Sequence, residues 1–252
     1  SLLGDSDVTA VTFREDRIEP GDKVWQVGID SSGDLVEYQT RVARTGAFSL
    51  GPSRTPRFRD INVEGFSLTD SLPTIGGVIA DRKGRVLAAW LSFMDQRSGR
   101  AAFRALPAPF LQRIVAPLRR GMAPDYRALG VELGEVSLAV ARERGVSEAR
   151  ALALLDHDPD QRRVLEVDRV WGGTPAADLL RNGDLLLEVD GRPVTRMLEV
   201  EALTWRDTVD LVVLRDGREI RLELDTTALD GEGVTRLAQW AGLILHEPHH
   251  EV

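Results

Sequence analysis

The chain has 252 residues, enough for two domains with a core in each, and its 42% hydrophobic and 29% charged residues are typical of a globular protein. A formal net charge of -8 at pH 7 disfavours nucleic acid and anionic membrane surfaces as partners. No cysteine is present, which excludes disulfides, thiol nucleophiles and thiolate metal sites, and no apolar run approaches the ~20 residues that span a bilayer.

The first hundred residues carry the pattern of short β-strands. Residues 24–29 follow a Pro-Gly-Asp turn, and residues 36–42 and 61–68 alternate between apolar and polar positions. Two further apolar runs, 78–80 and 86–93, flank Asp-Arg-Lys-Gly, which predicts a hairpin with a glycine turn. Several short strands at this spacing indicate a barrel or a sandwich.

The period then changes from that of strands to that of a helix. Five apolar residues share one helical face: Phe110, Leu111, Ile114, Val115 and Leu118. Prolines precede this run, and Pro117 predicts that the helix ends there or shortly after. Residues 122–125, Met-Ala-Pro-Asp, are typical of a linker between domains.

The second half predicts the order β, α, β, α, β, α, β, β. Residues 137–155 favour helix, and a short helix over residues 175–180 would be capped by Thr174. Strand 185–189 enters an Asp-Gly turn at residues 190–191, and residues 197–205 form a helix. A second Asp-Gly turn, at residues 216–217, joins strands 209–214 and 219–224.

Three stretches of this half resemble the core of a bacterial-type PDZ domain, a peptide-binding module. They are Val-Leu-Glu-Val at 164–167, Gly-Gly-Thr-Pro-Ala-Ala at 172–177 and Asn-Gly-Asp-Leu-Leu-Leu-Glu-Val-Asp-Gly-Arg-Pro-Val at 182–194. Residues 128–131, Ala-Leu-Gly-Val, are similar to the carboxylate-binding loop of PDZ domains in the HtrA/Deg protease family.

The resemblance implies that backbone N–H groups of this loop receive a peptide carboxylate, that strand 131–133 pairs with the peptide, and that the helix from Met197 supplies a side-chain pocket. Core packing is an equally supported reading of the helix residues. The predicted peptide-binding residues are Leu129, Gly130, Val131, Glu132, Leu133, Val200, Leu203 and Thr204.

Upstream, residues 20–28 and 76–88 resemble the second barrel of a trypsin-like domain in the same family. The family motif G-N-S-G-G falls on Pro-Thr-Ile-Gly-Gly at residues 73–77, so Ile75 stands where the nucleophilic serine is expected. Ser71 and Thr74 are out of register with the glycine turn that would form an oxyanion hole. The four histidines, at 157, 246, 249 and 250, all follow the barrel, so the general base is also missing and no catalytic residue is predicted.

Residues 56–64 and 86–93 are similar to the second, degenerate protease domain of the long Deg proteins. Residues 239–245, with Pro248 and His249, look like the entry to a further PDZ domain. The predicted organisation is a degenerate trypsin-like β-barrel over 1–106, a connecting helix and linker over 107–124, a PDZ domain over 125–227 and a C-terminal extension over 228–252. The fold class is mainly β with α+β.

Three functional hypotheses follow from this resemblance. The first is a non-catalytic pseudoprotease scaffold whose PDZ domain binds C-terminal or extended peptide segments in protein quality control or regulation. The second makes the chain the downstream portion of an active serine endopeptidase whose triad lies upstream. The third is an assembly adaptor, in which the barrel forms homo-oligomer contacts.

The partners expected from the resemblance are peptides or the C-termini of unfolded proteins. No nucleic acid, membrane span or cofactor is expected, and the C-terminal histidines lack a third ligand for a metal. The family implies the periplasm or the cell envelope.

Overall fold

The computed structural model describes residues 10–47, 62–74, 76–95, 100–229, 237–240 and 243–246. The strands are β1 Lys23–Ile29, β2 Leu35–Ala47, β3 Glu64–Leu68, β4 Gly76–Ala80, β5 Val86–Asp95, β6 Arg100–Pro107, β7 Tyr126–Ala128, β8 Val131–Ser137, β9 Arg163–Val170, β10 Leu185–Val189, β11 Arg192–Pro193, β12 Thr208–Arg215, β13 Arg218–Asp225, β14 Thr227–Leu229, β15 Leu237–Trp240 and β16 Leu243–His246. The helices are α1 Ala108–Arg119, α2 Leu138–Glu143, α3 Glu148–His157, α4 Ala176–Leu179 and α5 Met197–Leu203. The chain divides into two compact units, residues 1–46 with 65–122 and residues 47–64 with 123–252.

In the first unit, six antiparallel strands close into a barrel in the order β1-β2-β3-β6-β5-β4. Alternate residues of these strands point inward because side chains alternate along a strand. Trp90 and Phe103 stack with their ring centroids 5.8 Å apart. The barrel core consists of Val24, Val42, Phe66, Ile79, Leu87, Ala88, Trp90 and Ala105. The prediction of a trypsin-like barrel fold is confirmed in that six antiparallel strands form a closed barrel.

Most local predictions for the barrel are confirmed, but β2 extends to Ala47, beyond the predicted end at residue 42, and β6 was not predicted. The glycine-turn hairpin is the pair β4 and β5, and α1 ends at Arg119, two residues after Pro117. The strand predicted over residues 61–68 is shorter, because β3 begins at Glu64 and its predecessors Asn62 and Val63 are not in a strand. Ile61 lies outside the described residues.

Glycines allow β1 and β4 to approach closely. A Cβ on Gly77 would lie 2.2 Å from the Val27 carbonyl oxygen, and a Cβ on Gly28 would lie 2.4 Å from the Gly76 oxygen. Because real Cβ atoms do not approach oxygen so closely, any larger residue at either position would push the two strands apart.

The second unit is built on a sheet in the order β13-β12-β10-β9-β8, with β11 paired to β10. The inner strand β12 is apolar on both faces: Leu211 and Val213 belong to one core cluster, and Val212 and Leu214 to another. Helices α4 and α5 contribute to the first cluster, whereas α2 and α3 contribute to the second. Helices therefore cover both faces of the sheet.

The predicted element order of this unit is confirmed, with the long helical region split into α2 and α3 at Gly145. Both Asp-Gly turns have positive φ at both residues, 50° and 70° at residues 190–191 and 49° and 73° at residues 216–217, as a type I′ hairpin turn requires. The predicted cap by Thr174 is wrong: its hydroxyl donates to the Trp171 carbonyl, and Pro175 precedes α4 without a side-chain cap.

Candidate peptide-binding groove

Strand β8 lies at an edge of the sheet in the second unit. Among the described strands it pairs in the main sheet with β9 alone, where Val131 lies opposite Val170 and Glu132 opposite Arg169. The carbonyl of Gly130 is directed to the same side, since it accepts from Trp171 N–H at 2.8 Å. An edge strand of this kind offers backbone donors and acceptors to a further strand.

The loop before β8 requires glycine for two reasons. Gly130 has φ of +79°, a left-handed conformation that side chains disfavour. A Cβ there would also lie 2.8 Å from Thr174 Oγ1 and 3.2 Å from Ala176 Cβ. The loop backbone is therefore packed closely against the residues that begin α4.

The structure brings most of the predicted peptide-binding residues into one apolar cluster. This cluster includes Leu129, Val131, Leu133 and Val200, with Leu203 packed against it. Thr204 is fully buried at the end of α5, where its N–H donates to the Val200 carbonyl. Their role in binding peptide stays a prediction.

Glu132 has a different environment from its neighbours in β8. Its carboxylate forms an ion pair with Arg169 of β9. The Glu132 side chain therefore already has a partner within the sheet, and its role in binding peptide stays a prediction.

Two residues that were not predicted as part of the groove contact its two elements, Asn62 on β8 and Glu64 on α5. The Asn62 side chain donates from Nδ2 to the Val131 carbonyl at 2.9 Å, and its Oδ1 accepts from Leu133 N–H at 2.8 Å. Glu64 Oε2 accepts from the N–H of Leu198 in α5 at 3.3 Å. Asn62 and Glu64 are 5% and 4% exposed, so both polar side chains are buried.

The Glu64 carboxyl has a strongly perturbed acidity. Burial raises its pKa from 4.5 to about 7, and the nearby carboxylates of Glu135 and Glu199 add to this effect. Arg196, with Nη1 3.7 Å from Glu64 Oε1, and the Leu198 N–H oppose it. Glu64 Oε1 has no hydrogen-bond partner in the described part of the chain, which favours the protonated form near neutral pH.

The charged groups around Glu64 form a network. Arg196 Nε donates to Oδ2 of the buried Asp158 at 2.7 Å. Glu199 Oε2 accepts the N–H groups of Thr195 and Arg196, and its other oxygen lies 2.9 Å from His157 Nε2. The network fixes the start of α5 and holds the Arg196 guanidinium near Glu64.

At the protease-like position, Ile75 lies outside the described residues. Of the two alternative nucleophiles, Ser71 is exposed, whereas Thr74 is buried and its Oγ1 accepts from Gln26 Nε2 at 3.2 Å. Gln26 also bonds both backbone groups of Leu72, at 2.8 and 2.9 Å. Gln26 therefore holds residues 72–74 in place, but an amide donor cannot take a proton from the Thr74 hydroxyl.

The described residues contain no cluster of His, Asp or Glu side chains that could hold a metal ion. Nor does any described helix have the length and hydrophobicity needed to cross a membrane. His249 and His250 lie outside the described residues.

No family model matches the chain. It is 29% identical over 94% of its length to Protease Do-like 7 of Arabidopsis thaliana, and 26% identical over 97% to pro-apoptotic serine protease nma111 of Aspergillus niger. It is also 28% identical over 100% of its length to a PDZ domain-containing protein of Schizosaccharomyces pombe. The chain spans 24%, 25% and 26% of these three relatives, about a quarter of each.

Solved structures of an HtrA-type protease, AlgW, share the fold. The chain matches AlgW with decapeptide at a TM-score of 0.52 and 19% identity, covering 88% of this chain and 65% of that one. The match to AlgW with tripeptide has a TM-score of 0.54 and 19% identity, covering 90% and 72%. The sequence similarity to these proteases over nearly the whole chain supports the resemblance to the HtrA/Deg family, and the AlgW structures show that the fold is shared.

Proposed function

We propose that residues 125–227 form a PDZ domain that binds C-terminal or extended peptide segments by adding them as a strand to β8. The observation that carries this proposal is the position of β8 at a sheet edge, directly after the close-packed Gly130 loop. Backbone groups at such an edge supply affinity, and the apolar residues around Leu129, Val131 and Val200 supply a surface for side chains. The decapeptide and the tripeptide that accompany AlgW in its solved structures support a peptide as the ligand.

We further propose that residues 1–106 are a degenerate protease barrel, joined through 107–124 to the PDZ domain and followed by an extension over 228–252. The absence of histidine before residue 157 supports a barrel without a general base. In this proposal the chain captures peptides and leaves peptide bonds intact. It would serve a regulatory or quality-control role as the part of a longer protein that resembles the degenerate domain of the long Deg proteins.

Calorimetric titration with peptides that end in a free apolar residue tests the binding proposal. We expect dissociation constants near micromolar, about -8 kcal/mol. The matched control is the same peptide with an amidated C-terminus, which we expect to bind at least about tenfold more weakly, a loss of ~1.4 kcal/mol. Absence of binding across a library of free C-termini would contradict the proposal.

A further inference from the structure

The edge of β8 that the proposed function requires is already in contact with another part of the same chain. Asn62 satisfies the Val131 carbonyl and the Leu133 N–H with its side-chain amide, at 2.9 and 2.8 Å. A carbonyl and an N–H two residues apart on one strand are the pair that a residue of an added parallel strand would bond. The Asn62 amide thus takes the place of one residue of a bound peptide.

The same segment also reaches the helix on the other side of the predicted groove. Two residues after Asn62, the Glu64 carboxylate accepts from Leu198 N–H in α5 at 3.3 Å and lies 3.7 Å from the Arg196 guanidinium. Residues 62–64 are all buried, at 5%, 4% and 4% exposure. They therefore connect β8 with α5, the two elements between which a peptide would lie.

We propose that residues 62–64 form an occluding segment that competes with peptides for the β8 edge and must leave before a peptide binds. This inference rests on the proposed function, since it describes the regulation of that same groove. The apparent dissociation constant of a peptide is then its intrinsic value divided by the fraction of molecules in which the segment has left.

The acidity of Glu64 makes this competition depend on pH. A carboxyl with a pKa of 4.5 when released and about 7 when docked binds more protons in the docked state between these values. Below pH 4.5 the carboxyl is protonated in both states, so docking does not depend on this group. As the pH rises towards 7, the equilibrium between the docked and the released segment shifts towards release by up to about tenfold per pH unit. Above about pH 7 this equilibrium no longer changes with pH.

The charges that face Glu64 belong to several elements. Arg196 precedes α5, Glu199 lies within it, and Glu135 lies in β8. His157 at the end of α3 contacts Glu199, and Asp158 contacts Arg196. Because His157 belongs to the same network of charges, a His157 variant is the control that separates its contribution to the pH dependence from that of Glu64.

The first experiment replaces Asn62 by alanine in the whole chain and measures peptide binding by fluorescence anisotropy. Loss of two ordinary hydrogen bonds should release the segment and tighten peptide binding by about 5-fold or more. Asn182→Ala is the matched control, because it removes one asparagine bond to the backbone, to Val170 N–H, on the other side of β9. We expect its peptide affinity to equal that of the parent chain.

Hydrogen exchange separates this inference from the proposed function. In Asn62→Ala without peptide, the Leu133 amide should exchange faster than in the parent chain, whereas Asn182→Ala should leave it unchanged. If the Leu133 amide exchanges faster in Asn62→Ala but no variant binds peptide, the docking of residues 62–64 is supported and the proposed peptide function is overturned. If Asn62→Ala does not fold, Asn62→Asp gives the same test, since it replaces the donating nitrogen by an oxygen that repels the Val131 carbonyl.

The second experiment compares Glu64→Gln with His157→Gln between pH 5.5 and pH 7.5. The parent chain should bind peptide more tightly at the higher pH, by up to about 20-fold. Glu64→Gln should lose this pH dependence. At pH 7.5 it should bind peptide more weakly than the parent chain, because its docked segment carries no buried charge and competes better with the peptide. His157→Gln should retain the pH dependence. Unchanged affinity and unchanged Leu133 exchange in Asn62→Ala would overturn the inference, as would tighter peptide binding by Glu64→Gln.

Discussion

Replacing Gly130 by alanine perturbs the groove at the position where its geometry is most restricted. A Cβ there would lie 2.8 Å from Thr174 Oγ1 and 3.2 Å from Ala176 Cβ, on a backbone with φ of +79°. The left-handed conformation costs about 1 kcal/mol, and overlap in a packed region adds about 1–3 kcal/mol. We expect Gly130→Ala to lower the free energy of unfolding by about 2–4 kcal/mol, as measured by urea denaturation.

Gly191→Ala is the matched control for this prediction. Gly191 has φ of +70°, but a Cβ there would meet no atom within 4 Å, so only the conformational cost of about 1 kcal/mol applies. In calorimetric titrations we expect Gly130→Ala to weaken peptide binding by about tenfold or more, ~1.4 kcal/mol. Gly191→Ala should bind as the parent chain does. Equal unfolding free energies for the two variants, or an unchanged peptide affinity in Gly130→Ala, would refute the reasoning.

Three further predictions concern the barrel and the buried charges. Gly77→Ala should destabilise the barrel by about 3 kcal/mol or more in thermal unfolding, because its Cβ would overlap the Val27 carbonyl at 2.2 Å; a loss below ~1 kcal/mol would argue against the close approach of β1 and β4. Asp184→Ala should cost about 3–5 kcal/mol in urea, since the buried carboxylate accepts from Arg215 at 2.8 and 2.6 Å, while removal of the exposed Asp16 should cost under ~1 kcal/mol. Equal costs for these two variants would contradict the burial argument. An active-site serine phosphonate should label no serine of this chain, as followed by mass spectrometry, and stoichiometric labelling would show that a nucleophile had been missed.

The regular elements were predictable because their signals are local. Both Asp-Gly turns need positive φ at two successive residues, and that requirement is visible in the sequence itself. The apolar face from Phe110 to Leu118 similarly predicted α1 from spacing alone. The predicted groove residues were found by resemblance, and most of them lie in one cluster.

The contacts of the occluding segment were not predictable in this way. Asn62 bonds residues 69 and 71 positions away, and Glu64 bonds a residue 134 positions away. Asn62 lies just before β3 and Glu64 is its first residue, and single polar residues at such positions show no period of their own. Asparagine and glutamate are also usually exposed. The alternation over residues 61–68 predicted a strand there, whereas tertiary hydrogen bonds to β8 determine the backbone before Glu64. The prediction for Thr174 failed because α4 begins at Ala176, so that Pro175 and not Thr174 occupies the capping position.

The burial of both faces of the second unit's sheet affects how its strands find their register. In most antiparallel sheets a slip of one residue exposes apolar side chains to water, and this cost keeps the strands aligned. In β12, residues 211–214 are buried in succession, so such a slip would exchange one apolar face for the other. Strand β13 instead alternates, with Ile220, Leu222 and Leu224 against the first core cluster and charged residues between them, so a slip of β13 would bury charge. The register of this pair therefore comes from β13 together with the two-residue turn at Asp216 and Gly217, and not from β12.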